Sequence, residues 1–264
     1  MTAVDDMDFE RRFGGIARLY GAQALTRLMA AHVCVIGIGG VGSWAAEALA
    51  RSAVGRITLI DLDHVAESNT NRQIHALDGE FGKAKVQAMA QRIRAINPAC
   101  AVTGIEEFVA EENVATLLPA CDAVLDAIDN VRAKAALIAR CRAAGITIVT
   151  TGAAGGRCDP TRIQVADLAH TVQDALASKL RARLRKEFGF TRDPKKKFDV
   201  DCVFSVEPII RPANGEAACD LDEAPGENHG PQGLNCAGYG SAVTVTASFG
   251  LTAAARVLDR LIRG

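Results

Sequence analysis

The apolar run Val33-Cys34-Val35-Ile36 leads directly into Gly37-Ile38-Gly39-Gly40-Val41-Gly42, and a helix-compatible stretch, residues 43–51, follows at once. A strand, a tight glycine turn and a helix in that order form the opening unit of a parallel α/β sheet. In such a turn a phosphate rests on backbone N–H groups at the helix N-terminus, where the dipole favours negative charge. This segment therefore constrains both the architecture and the ligand class.

The rest of the chain extends the pattern. Helical spacing over residues 19–30 places Leu25, Leu28 and Met29 on one side, ahead of a strand at 32–36. A helix is expected over 41–50 and a β-branched strand over 55–60, which delivers Asp61 to its carboxyl end. A helix over 82–96 is stopped by Asn97-Pro98, a strand near 102–105 leads to a helix over 111–118, and a strand over 123–128 ends at Asp129. The helix over 132–144 has Gly145 as its C-cap, and 146–151 is the next strand. This alternation predicts a Rossmann-like α/β fold: a mostly parallel sheet with helices on both faces and Asp61, Asp63, Asp129 and Thr151 at its carboxyl edge.

After Thr151 the pattern changes to a C-terminal α+β extension. Gly152 to Gly156 reads as a flexible crossing, 162–165 as a short strand, 172–188 as a basic amphipathic helix and 200–206 as a further strand. Residues 212–233, rich in Gly, Pro, Asn and acids, read as a mobile surface loop, and the final helix spans about 241–262. The expected division is a nucleotide-binding domain over 1–157, including an N-terminal helix, and an extension over 158–264.

Composition excludes several classes. A hydrophobic fraction of 49% in 264 residues supplies an ample core, and a net charge of −1 gives no global attraction to polyanions. The longest apolar stretch, 242–255, is shorter than the roughly 20 residues that a membrane span needs, so no membrane association is expected. Eight cysteines without a C-x-x-C pair, and an acidic start without signal-peptide character, predict a reduced, cytoplasmic protein and no zinc.

Each candidate site residue has an ordinary alternative. A lone G-x-G-x-x-G also occurs in tight turns, but the flanking strand and helix favour a nucleotide. Asp61 at a strand end suits ribose hydroxyls, or else caps a loop. Arg72 and Lys85 offer charge for phosphates, although singly each would be a solvated surface cation. Asp129 can hold Mg²⁺ together with phosphates, with Asn130 beside it, whereas an isolated Asp-Asn pair is a turn or an N-cap.

The ordered set Gly37-x-Gly39-Gly40-x-Gly42, Asp61-x-Asp63, Ser68-Asn69-x-Asn71-Arg72-Gln73, Lys85 and Asp129-Asn130 resembles the adenylation domain of the ubiquitin-activating-type, ThiF-MoeB-like family, over about residues 12–157. The resemblance implies Mg-ATP on the glycine loop, ribose on Asp61, phosphates met by Arg72, Gln73 and Lys85, metal at Asp129, and an acyl-adenylate product. It also implies a homodimer in which an N-terminal arginine, Arg12 or Arg18, completes the neighbour's site.

The chain departs from the sulfur-carrier activators of that family. It lacks their zinc cysteines, and it carries a cationic stretch of Lys179, Arg181, Arg183, Arg185, Lys186, Arg192 and Lys195 to Lys197. The N-terminal run Arg12-Phe13-Gly14-Gly15-Ile16-Ala17-Arg18-Leu19-Tyr20-Gly21, the runs 35–51 and 69–77, and Asp201-Cys202-Val203-Phe204-Ser205 resemble instead the branch that dehydrates threonylcarbamoyladenosine in tRNA. That likeness covers nearly the whole chain. It implies ATP-dependent adenylation of the threonyl carboxylate and closure of a ring by the urea-like nitrogen of the same substituent.

The cationic stretch then supplies a seat for tRNA, since Lys and Arg contacts to phosphate give most sequence-independent affinity. A cysteine desulfurase or sulfur-acceptor system is a further candidate partner. Two alternatives compete: an activator of a ubiquitin-like sulfur carrier, and an NAD-dependent oxidoreductase, which would leave Arg72, Lys85 and Asp129 without a role. Cys34, Cys121 and Cys141 read as core, whereas Cys158, Cys202 and Cys236 read as loop or boundary residues. His32 and His170 read as structural, and His75 as a neighbour of the site.

Overall fold

The computed structural model describes residues 8–210 and 239–263. The 212–233 loop, Cys219 and Cys236 lie outside the described residues. The chain runs α1 (Phe9–Tyr20), α2 (Ala22–Ala30), β1 (His32–Ile36), α3 (Gly42–Arg51), β2 (Arg56–Ile60), α4 (Lys85–Ile96), β3 (Ala101–Ile105), α5 (Val114–Leu117) and β4 (Ala123–Asp126). It continues through α6 (Val131–Ala144), β5 (Thr147–Thr151), β6 (Ile163–Asp167), α7 (Ala175–Glu187), β7 (Asp201–Ser205) and α8 (Val243–Arg263).

The strands form one seven-stranded sheet in the order β3-β2-β1-β4-β5-β7-β6, parallel throughout except for the antiparallel β6–β7 pair at its edge. Parallel strands covered on both faces must be apolar on both faces, and the burial shows it. Val33 and Val35 of β1 join the core beneath α3, α4 and α8, while Cys34 and Ile36 join the opposite core beneath α6 and α7. Val203 of β7 faces the first core, and Cys202 and Phe204 the second. The extension beyond residue 157 thus lengthens the same sheet. Asp201 at the start of β7 ties it to α8, accepting from Arg256 at 3.0 Å and from Arg260 at 2.9 Å.

Several elements differ from the sequence reading. The helix expected over 19–30 is divided at Gly21, whose φ of 93° ends α1 and whose N–H donates to Ala17 at 2.8 Å. The helix expected over 111–118 shrinks to α5, because Asn113 turns its side chain back: Oδ1 accepts from Ala110 N–H at 2.8 Å and Nδ2 donates to Phe108 O at 2.7 Å. Such local bonds compete with helix extension. β4 stops at Asp126, two residues earlier than expected, where its carboxylate is drawn into a buried ion pair. α7 begins at Ala175, because Gln173 has a φ of 55° and Asp174 serves as N-cap.

Candidate active site

β1 pairs with β2 on one side and β4 on the other, and the strand order reverses at this point. The crevice outside the carboxyl ends of strands at such a reversal is where open α/β sheets bind ligands. A cavity of about 390 Å³ occupies it, lined by Gly37, Gly39, Gly40, Asp61, Asp63, Asn69, Arg72, Gln73, Lys85, Asp129 and Asn130 together with flanking residues.

Close packing fixes the glycine loop. Gly37 has a φ of 84°, and a Cβ on Gly42 would lie 1.8 Å from Gly37 O. Gly42 therefore lets α3 start directly against the turn, and it is the one glycine of the motif outside the cavity lining. No side chain caps the N-terminus of α3; in its first turn Ser43 N–H donates to Gly39 O and Ala45 N–H to Val41 O, both at 3.1 Å.

Asp61 bridges loop and strand. One oxygen accepts from Ile38 N–H at 2.5 Å and the other from Asp63 N–H at 2.8 Å. A carboxylate offers about four lone-pair sites, so both oxygens retain capacity for hydroxyl donors. Burial pushes the Asp61 carboxyl up from its ordinary value, against the opposing pull of Lys85 and the two backbone donors.

The cationic side of the cavity is equally ordered. Lys85 opens α4, is 5% exposed, and holds its ammonium 2.7 Å from the Asp63 carboxylate. Arg72 donates to Ser68 O and to Asn71 Oδ1, both at 2.8 Å, and burial lowers its pKa from the ordinary guanidinium value. Its own carbonyl accepts from Trp44 Nε1 of α3 at 3.0 Å. Asn69 braces this segment by accepting from Ala66 N–H at 3.1 Å. Asn71 reaches Ser241 O, just ahead of α8, at 2.8 Å. Buried Gln73 has an Oε1 that accepts no protein hydrogen bond.

Asp129 lies on the cavity wall, and Asn130 beside it caps α6 through Arg132 and Ala133 N–H at 3.0 Å each. Beneath them lies a feature that the sequence reading missed. Asp126 and Lys134 form a fully buried pair at 2.9 Å, with Thr150 Oγ1 donating to Asp126 at 2.7 Å and Lys134 donating to Ile128 O at 2.9 Å. The only sequence signal was a carboxylate three residues ahead of Asp129 and a lysine in the first turn of α6. Thr151 lines the cavity from the carboxyl edge, as expected; unforeseen are a wall from Glu107 to Val109 and another from Gly152 to Gly155 with Leu176 and Thr246.

Other candidates lie elsewhere. Arg12 donates to Ile96 O at 2.8 Å, Arg18 faces Glu10 at 3.6 Å, and neither lines the cavity. The basic stretch divides in two. Arg183 pairs with Glu111 and Glu187, Arg181 bonds Thr171 and Arg185 bonds Thr191 O, whereas Lys186, Arg192 and Lys195 to Lys197 are exposed.

Cys202, expected at a boundary, is buried within β7, and burial drives its thiol pKa far up. Cys34 and Cys141 are core residues, and Cys158 is exposed. His32 is held by Ala120 O at 2.8 Å and Thr58 Oγ1 at 2.9 Å. His75 is buried, and burial together with nearby Lys85 and Arg92 lowers its pKa to about 4.

Comparison with known proteins agrees with this geometry. Residues 14–263 match the ThiF family. The chain is 53% identical to the tRNA threonylcarbamoyladenosine dehydratase of Escherichia coli, covering 99% of this chain and 97% of that protein. It is 48% identical to the protein of that name from Haemophilus influenzae, with coverage of 100% and 97%. The E. coli molybdopterin-synthase adenylyltransferase is 37% identical but aligns with only 46% of this chain. The crystal structure of the E. coli dehydratase in complex with ATP superposes with a TM-score of 0.85 at 50% identity, covering 97% of this chain and 96% of that one. The chain belongs to the ThiF family and, within it, to the tRNA threonylcarbamoyladenosine dehydratases.

Proposed function

We propose that this protein uses ATP to cyclise threonylcarbamoyladenosine in tRNA. One observation carries the reading: a single cavity unites the glycine loop, a ribose-accepting carboxylate, two phosphate-directed cations and a metal-directed carboxylate. An NAD-dependent oxidoreductase has no use for the last three. A sulfur-carrier activator would use all of them, but the molybdopterin-synthase relative matches less than half of the chain.

The chemistry follows from the placement. Asp61 holds the ribose, and the glycine loop with Arg72, Gln73 and Lys85 receives the phosphates. The threonyl carboxylate attacks the α-phosphate, the bond to pyrophosphate breaks, and the carboxylate oxygen is now bonded to AMP. Arg72 and Lys85, fixed before the reaction, stabilise the charge that moves onto the leaving phosphate. The urea-like nitrogen of the same substituent then attacks the acyl carbon, AMP departs with that oxygen, and the nitrogen loses its proton. No protein nucleophile is needed, because closure is intramolecular and correct orientation replaces a bimolecular encounter.

Asp129 fits Mg²⁺ arriving with the triphosphate. Among the described residues no group of three or more His, Cys, Asp and Glu is placed to hold a metal ion, and one carboxylate plus phosphates is the usual donor set for this cation. When bound there, the ion would neutralise phosphate charge. In this reading residues 1–157 serve the nucleotide and 158–264 supply the tRNA seat, through exposed Lys186, Arg192 and Lys195 to Lys197. The protein works as a cytoplasmic homodimer with Arg12 or Arg18 reaching the neighbour's cavity, and a cysteine desulfurase or sulfur acceptor is a candidate partner. No helix among the described residues is long and apolar enough to cross a membrane.

The test is incubation with Mg-ATP and tRNA bearing threonylcarbamoyladenosine, followed by nucleoside mass spectrometry. Loss of one water with AMP and pyrophosphate release is expected. AMP release with unaltered nucleoside refutes the substrate assignment.

A further inference from the structure

Asp174 stands where the basic helix meets the cavity. As N-cap of α7 it accepts from Ala177 N–H at 2.8 Å through one oxygen. Its other oxygen leaves the helix and accepts from Ala153 N–H at 3.0 Å, on the cavity wall. The residue is 4% exposed, and capping α7 alone would not require the second bond.

The surroundings are built around that second bond. A Cβ on Gly152 would lie 2.2 Å from Asp174 Oδ2, so only glycine there lets the carboxylate reach the wall. Arg157, 1% exposed, lies 3.4 Å from the same oxygen and also donates to Ser205 O at the end of β7 and to Gln173 O. Gln173 has a left-handed φ of 55°, a conformation a glutamine adopts only when its surroundings hold it there. Asp174 thus ties α7 to the segment after β5, and through Arg157 to the end of β7, and Leu176 of α7 lines the same cavity.

We propose that Asp174 is a positioning residue that registers α7, the helix leading into the proposed tRNA seat, against the 152–155 wall, and so sets where the threonyl carboxylate stands relative to the α-phosphate. The proposal rests on the reading of the substrate given above. Ring closure and adenylation depend on placement to within about an ångström, and a displaced wall costs rate while leaving the nucleotide and the distant phosphate contacts intact.

Two variants test it by different means. Asp174→Asn retains one oxygen for capping but presents an amide where Ala153 N–H needs an acceptor. Gly152→Ala keeps every charge and displaces the carboxylate sterically. In both, kcat for cyclisation should fall about tenfold or more, while calorimetric affinities for Mg-ATP and fluorescence affinities for tRNA stay within about twofold. If both variants cyclise at the wild-type rate, or lose thermal stability and ATP affinity with kcat intact, Asp174 is only a structural cap. Wild-type protein that binds ATP but forms no cyclic product overturns the substrate reading and this inference with it. Wild-type turnover shared by both variants overturns the inference alone.

Discussion

Acid should weaken this protein through His75, and the size of the effect can be worked out. His75 is 2% exposed, and neither ring nitrogen has a hydrogen-bond partner among the described residues. Burial is the main cause of its lowered pKa, Lys85 and Arg92 add to it, and Glu80 opposes them. The group titrates near 6.5 in the unfolded chain and at about 4 in the folded one. The unfolded state therefore binds more protons between these values, so the contribution is present above pH 6.5 and is lost as pH falls. At about 1.36 kcal/mol per pH step, roughly 2 kcal/mol disappears by pH 5 and roughly 3 kcal/mol by pH 4. Urea unfolding of wild type and of His75→Leu, a substitution close in volume, isolates the term from other titrating groups. The difference between the two should change by about 2 kcal/mol between pH 7.5 and 5, in favour of the variant at the lower pH. Parallel stability profiles would refute the assignment, because they would mean that His75 is solvated or paired at neutral pH.

Four further outcomes are expected. Gly42→Ala, whose Cβ would lie 1.8 Å from Gly37 O, should displace the glycine loop and cost about tenfold or more in ATP affinity by calorimetry; unchanged affinity would mean that the loop is pliant. Asp129→Asn should preserve the circular dichroism spectrum and abolish turnover, and wild-type turnover would remove Asp129 from the mechanism. Replacing Lys195, Lys196 and Lys197 together with Ala should weaken tRNA binding and flatten its salt dependence, with ATP affinity retained; loss of ATP affinity alone would move these lysines to the nucleotide. Mixing an Arg12 or Arg18 variant with a Lys85 variant should restore activity through hybrid dimers, and monomers by light scattering would exclude the shared site.

Much of the fold was legible because parallel strands buried on both faces must be apolar runs, and the run 32–36 has the same bounds in sequence and structure. Gly145 was legible as a C-cap because it adopts the left-handed conformation with a φ of 68°. Gly37, Asp61, Lys85 and Asp129 could be gathered from the sequence since each follows a strand's carboxyl end or opens a helix, whereas Arg72, in a turn well past β2, was joined to them by the family resemblance. What stayed hidden depends on partners distant in the chain. Nothing local says that Asp126 ends β4 by pairing with Lys134, since Ala127 and Ile128 continue the apolar pattern. Likewise the basic stretch reads as one block, and only packing shows that Arg183 is spent on Glu111 and Glu187 while Lys195 to Lys197 are exposed.

In the proposed reading, the Lys85–Asp63 pair keeps a cation ready for a triphosphate. An ammonium buried without a counter-charge is strongly disfavoured, so Lys85, with a side chain only 7% exposed, needs an anion when nucleotide is absent. Asp63 meets that need at 2.7 Å, yet its own side chain is 69% exposed. The two partners are therefore unequal in freedom. When a phosphate approaches, the exposed carboxylate can withdraw into water, where its charge is solvated, while the phosphate takes its place beside the ammonium. Lys85 then exchanges one anion for another without moving. Had both groups been buried, as Asp126 and Lys134 are, breaking the pair would leave a charge uncompensated, and the lysine would be lost to the phosphates. Unequal exposure thus separates the ion pair proposed to serve the ligand from the fully buried one within the scaffold.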